Sequence, residues 1–229
     1  MARLILIETS TSLCSTALSE DGKIISYKEN ADRSHASLTA QFISDMLEEH
    51  GLTAGDCDAV CVSMGPGSYT GLRVGVSTAK GLCFGAGKPL LAIGSLDILV
   101  WNAISGSKLP EGCRYIVPMI DARRMEVYSA VFTPDGRQVR ETAPAVIDKD
   151  SFSDLLAEGP VLFIGDGAGK CEGVIDNPAA HFINVCPDAA SMLVPAENEY
   201  KEKRFKDVAY FEPFYLKDFV ATVSKKKLF

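Results

Sequence analysis

The chain opens on an unbroken apolar run, Leu4-Ile5-Leu6-Ile7, closed by Glu8 and followed by the polar stretch Thr9-Ser10-Thr11-Ser12. A short apolar run ending at turn-forming residues predicts a buried strand. A second strand through Ala17-Leu18, an Asp21-Gly22 hairpin and a third strand from Lys23 to Tyr27 complete a meander. The order recurs from Tyr115. Ile116-Val117-Pro118-Met119-Ile120 ends in Asp121, and the polar turn Ala122-Arg123-Arg124 leads into a strand through Val127-Tyr128-Ser129-Ala130-Val131. Asp135-Gly136 then predicts a hairpin into Arg137 to Arg140. Glu8 and Asp121 stand almost equally far ahead of their hairpins, so the pattern predicts an internal duplication.

The segments beyond the two hairpins match as well. In the first half the patterning predicts helices over 35–50, 69–85 and 96–104, with strands at 59–63 and 90–93 between them. The second half repeats this more loosely, with a helix over 152–158, strands at 161–164 and 182–185, a short helix near Cys171 and a helix from Ala189. Three antiparallel strands succeeded by alternating helices and strands, made twice, predict two α/β lobes with mixed sheets flanked by helices. The Gly-, Ser- and Pro-containing stretch 106–112 sets the expected boundary, giving lobes over 1–105 and 113–229.

Between the strand at 59–63 and the next helix lies Gly65-Pro66-Gly67-Ser68-Tyr69-Thr70-Gly71-Leu72-Arg73-Val74-Gly75. Gly65 and Gly67 allow close backbone approach, Pro66 fixes one φ, and Ser68 is placed to cap the helix. Such a turn presents free amides to an anion or another chain, or serves geometry alone. Beyond it, Gly71, Gly75 and Ala79 recur every fourth residue and leave one helix face nearly bare. The preceding helix carries Leu38, Phe42 and Met46, with Ile43 and Leu47, in a broad apolar face. Packing on the sheet and docking of another helix both account for these faces.

Composition narrows the chemistry. With 229 residues, 47% hydrophobic and 23% charged, the chain can bury a real core. Its net charge of -7 argues against gripping nucleic acid unaided; the basic region of Lys201, Lys203, Arg204, Lys206 and Lys225 to Lys227 is the local exception. No apolar run approaches the roughly 18 to 20 residues of a membrane span, which places the expectation in the cytoplasm. Seven scattered cysteines read as buried free thiols; Cys14 lies in a polar loop where a thiol could react, but no His or Lys nearby in sequence would activate it. His35, His50 and His181 fall at no metal-ligand spacing, and neither His-Glu-x-x-His, Gly-x-Ser-x-Gly nor a Gly-x-x-x-x-Gly-Lys-Ser/Thr loop occurs. Glu8 and Asp121, each ending the first strand of its copy, are the paired carboxylates that could hold a divalent ion or orient a water, unless each is bonded to its own turn.

The duplicated topology resembles the actin, Hsp70 and sugar-kinase superfamily, whose lobes are ribonuclease H-like. That resemblance implies an anion or cleft role for Glu8, Ser10, Thr11, Gly65, Gly67 and Asp121. Ile7-Glu8-Thr9-Ser10-Thr11, the Gly65–Gly75 run, Asp121-Ala122-Arg123-Arg124 with Val127-Tyr128, and Tyr215-Leu216-Lys217-Asp218 together resemble the TsaB (YeaZ) family of bacterial tRNA threonylcarbamoyladenosine biosynthesis, with Glu8 where that family usually has Asp. The resemblance implies a subunit without catalytic residues or cofactor of its own, in complex with TsaD and TsaE, which bring the metal and ATP, and meeting tRNA mainly through that complex. The histidine pair by which TsaD holds metal has no counterpart in Gly94-Ser95-Leu96-Asp97-Ile98-Leu99. It also implies pairing, with the partner or a second copy, through the first two helices, with Leu38, Phe42, Met46, Leu72, Gly75 and Ala79 at the contact. The rival expectations are an independent nucleotide-binding kinase-like enzyme and a peptidase.

Overall fold

The computed structural model describes residues 2–31 and 35–216. Lys217, Asp218 and the basic residues Lys225 to Lys227 lie outside them.

Strands β1 (Arg3–Glu8), β2 (Cys14–Glu20), β3 (Lys23–Asn30), β4 (Ala59–Ser63) and β5 (Leu90–Ile93) form one sheet in the order β3-β2-β1-β4-β5. The second sheet contains β6 (Tyr115–Asp121), β7 (Glu126–Phe132), β8 (Gln138–Val146), β9 (Val161–Ile164) and β10 (Ala180–Ile183). Its order, β10-β9-β6-β7-β8, is the same one read from the opposite edge. In each copy the first strand pairs antiparallel with the second and parallel with the fourth. β1, β2, β4 and β5 are buried on both faces because helices cover both sides, which is why they read as continuous apolar runs.

Helices α1 (His35–Glu49), α2 (Tyr69–Ala86) and α3 (Ser95–Ser105) belong to the first copy. The second copy carries only the single turns α4 (Ser153–Leu156) and α5 (Ala168–Cys171), then a 3-10 turn at Ala190–Met192 leading into α6 (Leu193–Lys201). The helix expected over 152–158 is thus one turn long, bounded by Phe152 at φ 60° and Gly159 at φ 139°. The strand expected at 182–185 begins two residues earlier, at Ala180.

A division into 1–105 and 113–229 describes the two sheets but not the helices. Leu96, Leu99, Val100 and Ala103 of α3 pack with Ile116, Ile120, Phe132 and Ile164 of the second sheet. In return, Met192 and Ala196 pack with Leu4, Leu6, Leu91 and Ile93 of the first. Each copy's last helix covers the other copy's sheet, so the lobes share their cores. The chain beyond α6 also returns to the first sheet: Lys206 N donates to Leu90 O (2.8 Å), and Val208 and Phe211 join the core beneath α1 and α2.

Candidate functional site

At the C-terminal end of β1 the chain turns sharply through Thr9 and Ser10, and the glycine-rich run closes over that turn. Ser68 caps α2 by accepting from the Gly71 amide (3.3 Å), while its own amide donates to Ser10 O (2.6 Å). The Thr9 hydroxyl donates to Gly71 O (2.8 Å). Side chains on α2 would make this approach impossible. A Cβ at Gly67 would lie 2.2 Å from Ser10 O, and one at Gly71 would lie 2.0 Å from Thr9 O. Gly65, at φ 106°, instead clears the carbonyl of Phe214, whose amide donates to Met64 O (2.7 Å).

These glycines seat the first turn of the same chain. Within the turn, Ser10 N donates to Glu8 Oε1 and Thr9 N to Ser63 Oγ (3.4 Å). Ser10 and Thr11 are buried within this packing. Glu8 Oε2, Ser10 Oγ and Thr11 Oγ1 are buried here without a hydrogen-bond partner among the described residues.

Glu8 and Asp121 end equivalent strands in opposite environments. Glu8 is fully buried, and burial pushes its carboxyl up to about 7 despite hydrogen bonding from Ser10. Asp121 is exposed; it pairs with Lys170, and its Oδ1 accepts from the Arg123 amide (2.8 Å). Each acid is thus bonded within its own turn region. Among the described residues, no group of three or more His, Cys, Asp and Glu side chains is placed to hold a metal ion. Cys14 is also corrected: it is buried at the start of β2, 3.3 Å from Thr39 Oγ1, and burial pushes its thiol up, away from the reactive thiolate.

The six residues assigned to a helix-mediated contact divide. Met46, Leu72, Gly75 and Ala79 are buried within the chain, and Met46 and Ala79 belong to the core between α1, α2 and the first sheet. A Cβ at Gly75 would meet Thr9 Oγ1 at 2.3 Å, so the bare stripe of α2 accommodates the β1 turn and not another helix. Leu38 and Phe42 are half-buried. The outward face of the helix pair consists of other residues. A groove of about 190 Å3 runs between the helices past Ala40, Ser44, Thr78 and Leu82, and a wider cleft adjoins it at Gly81 and Gly85. Phe84, also on α2, has 87% of its surface exposed. Helical spacing could have revealed Phe84, because it falls off the buried stripe Leu72, Val76, Ala79 and Cys83.

The C-terminal segment braces the back of α2. Lys80 Nζ donates to the carbonyls of Ala209 (3.0 Å) and Phe211 (3.1 Å). Tyr215 packs on Tyr69 at 4.7 Å between ring centroids, and the Arg73 guanidinium lies 4.3 Å over the Tyr69 ring. Sequence reading missed this brace because no local pattern links Lys80 to a loop 129 residues later.

Two sheets of one order, built on a duplicated strand meander with helices on both faces, define a two-lobed ribonuclease H-like protein of the actin and sugar-kinase class. A glucomannokinase from Arthrobacter shares this fold, with a TM-score of 0.50 at 14% identity over 89% of this chain and 100% of its own. Within the class, the family described as "TsaD: tRNA N6-adenosine threonylcarbamoyltransferase" matches residues 23–225. The tRNA threonylcarbamoyladenosine biosynthesis protein TsaB of Haemophilus influenzae is 31% identical, with 98% of this chain and 96% of that protein aligned. The structure of YeaZ from Pseudomonas aeruginosa superposes with a TM-score of 0.80 at 26% identity, covering 94% of this chain and 100% of its own. The chain belongs to the TsaB (YeaZ) family.

Proposed function

We propose that this protein is a non-catalytic activating subunit for threonylcarbamoyl transfer to the tRNA adenosine beside the anticodon, and that it acts by pairing with a TsaD-type transferase through the outward face of α1 and α2. The observation that carries this reading is the division of labour along α2. Its glycine stripe is taken up by Thr9 of the same chain, so that face is not free to receive a partner helix. Its opposite face leaves Phe84 exposed, and Gly81 and Gly85 line an open, mostly apolar cleft. A protruding aromatic on the same outward helix surface as a shallow apolar cleft is the kind of feature that dominates protein interfaces. ATP and metal then reside on the partner subunits, with TsaE as the third member, and tRNA is engaged mainly by the assembly.

The deciding experiment is reconstitution of threonylcarbamoyladenosine formation on tRNA from TsaD, TsaE and the threonylcarbamoyl-adenylate synthase. Product that depends on adding this protein is the expected result. Equal product without it overturns the reading. Calorimetric titration with ATP separates the kinase-like alternative, which requires nucleotide affinity in the isolated chain.

A further inference from the structure

The turn between β6 and β7 breaks a local rule that the chain obeys elsewhere. Arg123 and Arg124, the middle two of the four residues that link the strands, have φ of 72° and 51°. Left-handed conformations at consecutive positions belong to tight hairpins whose favoured residues are Asn, Asp and Gly. At its β2–β3 hairpin this protein obeys that preference, with Asp21 at 51° and Gly22 at 77°. Two long cationic residues held in the same conformation mark a position where local stability has yielded to another requirement.

The surroundings hold the turn in place and leave its charge uncancelled. Ala122 N donates to Glu126 O (3.0 Å), and Glu126 N donates to Arg123 O (3.1 Å). Lys170 reaches across from α5 and donates to the carbonyls of Arg124 (2.7 Å) and Glu126 (2.7 Å) as well as to Asp121. Asp121, two residues before Arg123, is thereby paired with Lys170. Its own amide donates to Asp166 Oδ1 (3.1 Å). Among the described residues, neither Arg123 nor Arg124 forms a salt bridge, and both are exposed. The result is an exposed pair of guanidinium groups on a backbone-braced turn, in a molecule whose net charge is -7.

The equivalent turn of the first copy has gone the other way: Thr9 and Ser10 are uncharged, buried and clamped by α2. Duplicated turns with such opposite fates have been given different tasks. Guanidinium is the side chain best suited to phosphate oxygens, through paired N–H donors and a charge that cannot be lost at neutral pH.

We propose that the Arg123–Arg124 turn is a contact for the phosphate groups of RNA, through which this subunit itself touches tRNA. The choice of RNA over a free nucleotide polyphosphate rests on the tRNA-modification reading above, and on the exposure of both groups, which suits an extended backbone.

The test uses the full chain alone and tRNA, with binding monitored by fluorescence anisotropy between about 50 and 200 mM salt. Arg123→Asn with Arg124→Gly supplies the residues the turn prefers, so the variant folds at least as well as the parent by thermal denaturation. The expected result is a roughly tenfold loss of tRNA affinity and a salt slope shallower by about one to two, with the slope restored and the affinity only partly restored in the Arg123→Lys, Arg124→Lys variant. Unchanged affinity and slope in the Asn-Gly variant, or no tRNA binding by the parent chain, overturn the proposal. So does a loss confined to ATP or pyrophosphate, titrated in parallel, with tRNA unaffected. Because no transferase is present, a negative result leaves the activating-subunit reading standing, and failure of the reconstitution does not alter this measurement.

Discussion

Thr9 and Gly75 meet where the β1 turn enters the face of α2, and a single methyl on residue 75 would stand 2.3 Å from the Thr9 hydroxyl oxygen. That hydroxyl is fixed, because it donates to Gly71 O one turn earlier in the same helix. Gly75→Ala is therefore expected to destabilise the protein by about 1–3 kcal/mol through overpacking. Thr9→Ala loses a buried hydrogen bond, at about 1–3 kcal/mol, but clears the space. The double variant should cost less than the two single variants added together, as measured by urea unfolding. Strict additivity would mean that the two residues do not press on each other.

Glu8 carries a pH dependence with a definite sign. Its carboxyl is raised from 4.5 in the unfolded chain to about 7 in the fold by burial, so the folded state holds the proton more tightly. Stability contributed this way is fully present below about pH 4.5 and is lost as pH rises to about 7, amounting to about 3 kcal/mol. Glu8→Gln should remove that slope and leave a variant more stable than the parent at pH 8. Chemical denaturation at a series of pH values reads both effects, and an unchanged slope in Glu8→Gln would locate the titration elsewhere.

Ala79 and Phe84 lie within two turns of each other on α2 and should respond in opposite ways. Ala79 is fully buried against the first sheet, so Ala79→Glu places an unpaired charge in the core and should unfold the chain, lowering thermal stability by 10 °C or more on the order-of-magnitude scale for several kcal/mol. Phe84→Asp changes an exposed side chain and should leave stability within about 0.5 kcal/mol. In the reconstituted assay the same change should sharply reduce threonylcarbamoyladenosine formation. Full activity of a folded Phe84→Asp variant would remove the outward face of α2 from the proposed contact.

The amino-acid pattern alone determined the strand meanders, the duplicated order and the glycine-rich entry to α2, because each depends on neighbours within a few residues. Apolar runs closed by Glu8 and Asp121, and the Asp21-Gly22 turn, express their structure locally. Only the tertiary structure decided which surface those elements meet. Gly71 and Gly75 looked bare for a partner helix and proved bare for Thr9, which lies far upstream in the chain. Met46 and Ala79 shared a helical periodicity with an interface but face the sheet, since periodicity gives the width of an apolar face and not its occupant. The exchange of α3 and α6 between sheets, the brace of Lys80 on the C-terminal segment, and the opposite environments of Glu8 and Asp121 all arise from contacts between distant parts of the chain. Burial and charge pairing at such contacts depend on the whole fold, and no short stretch of sequence contains them.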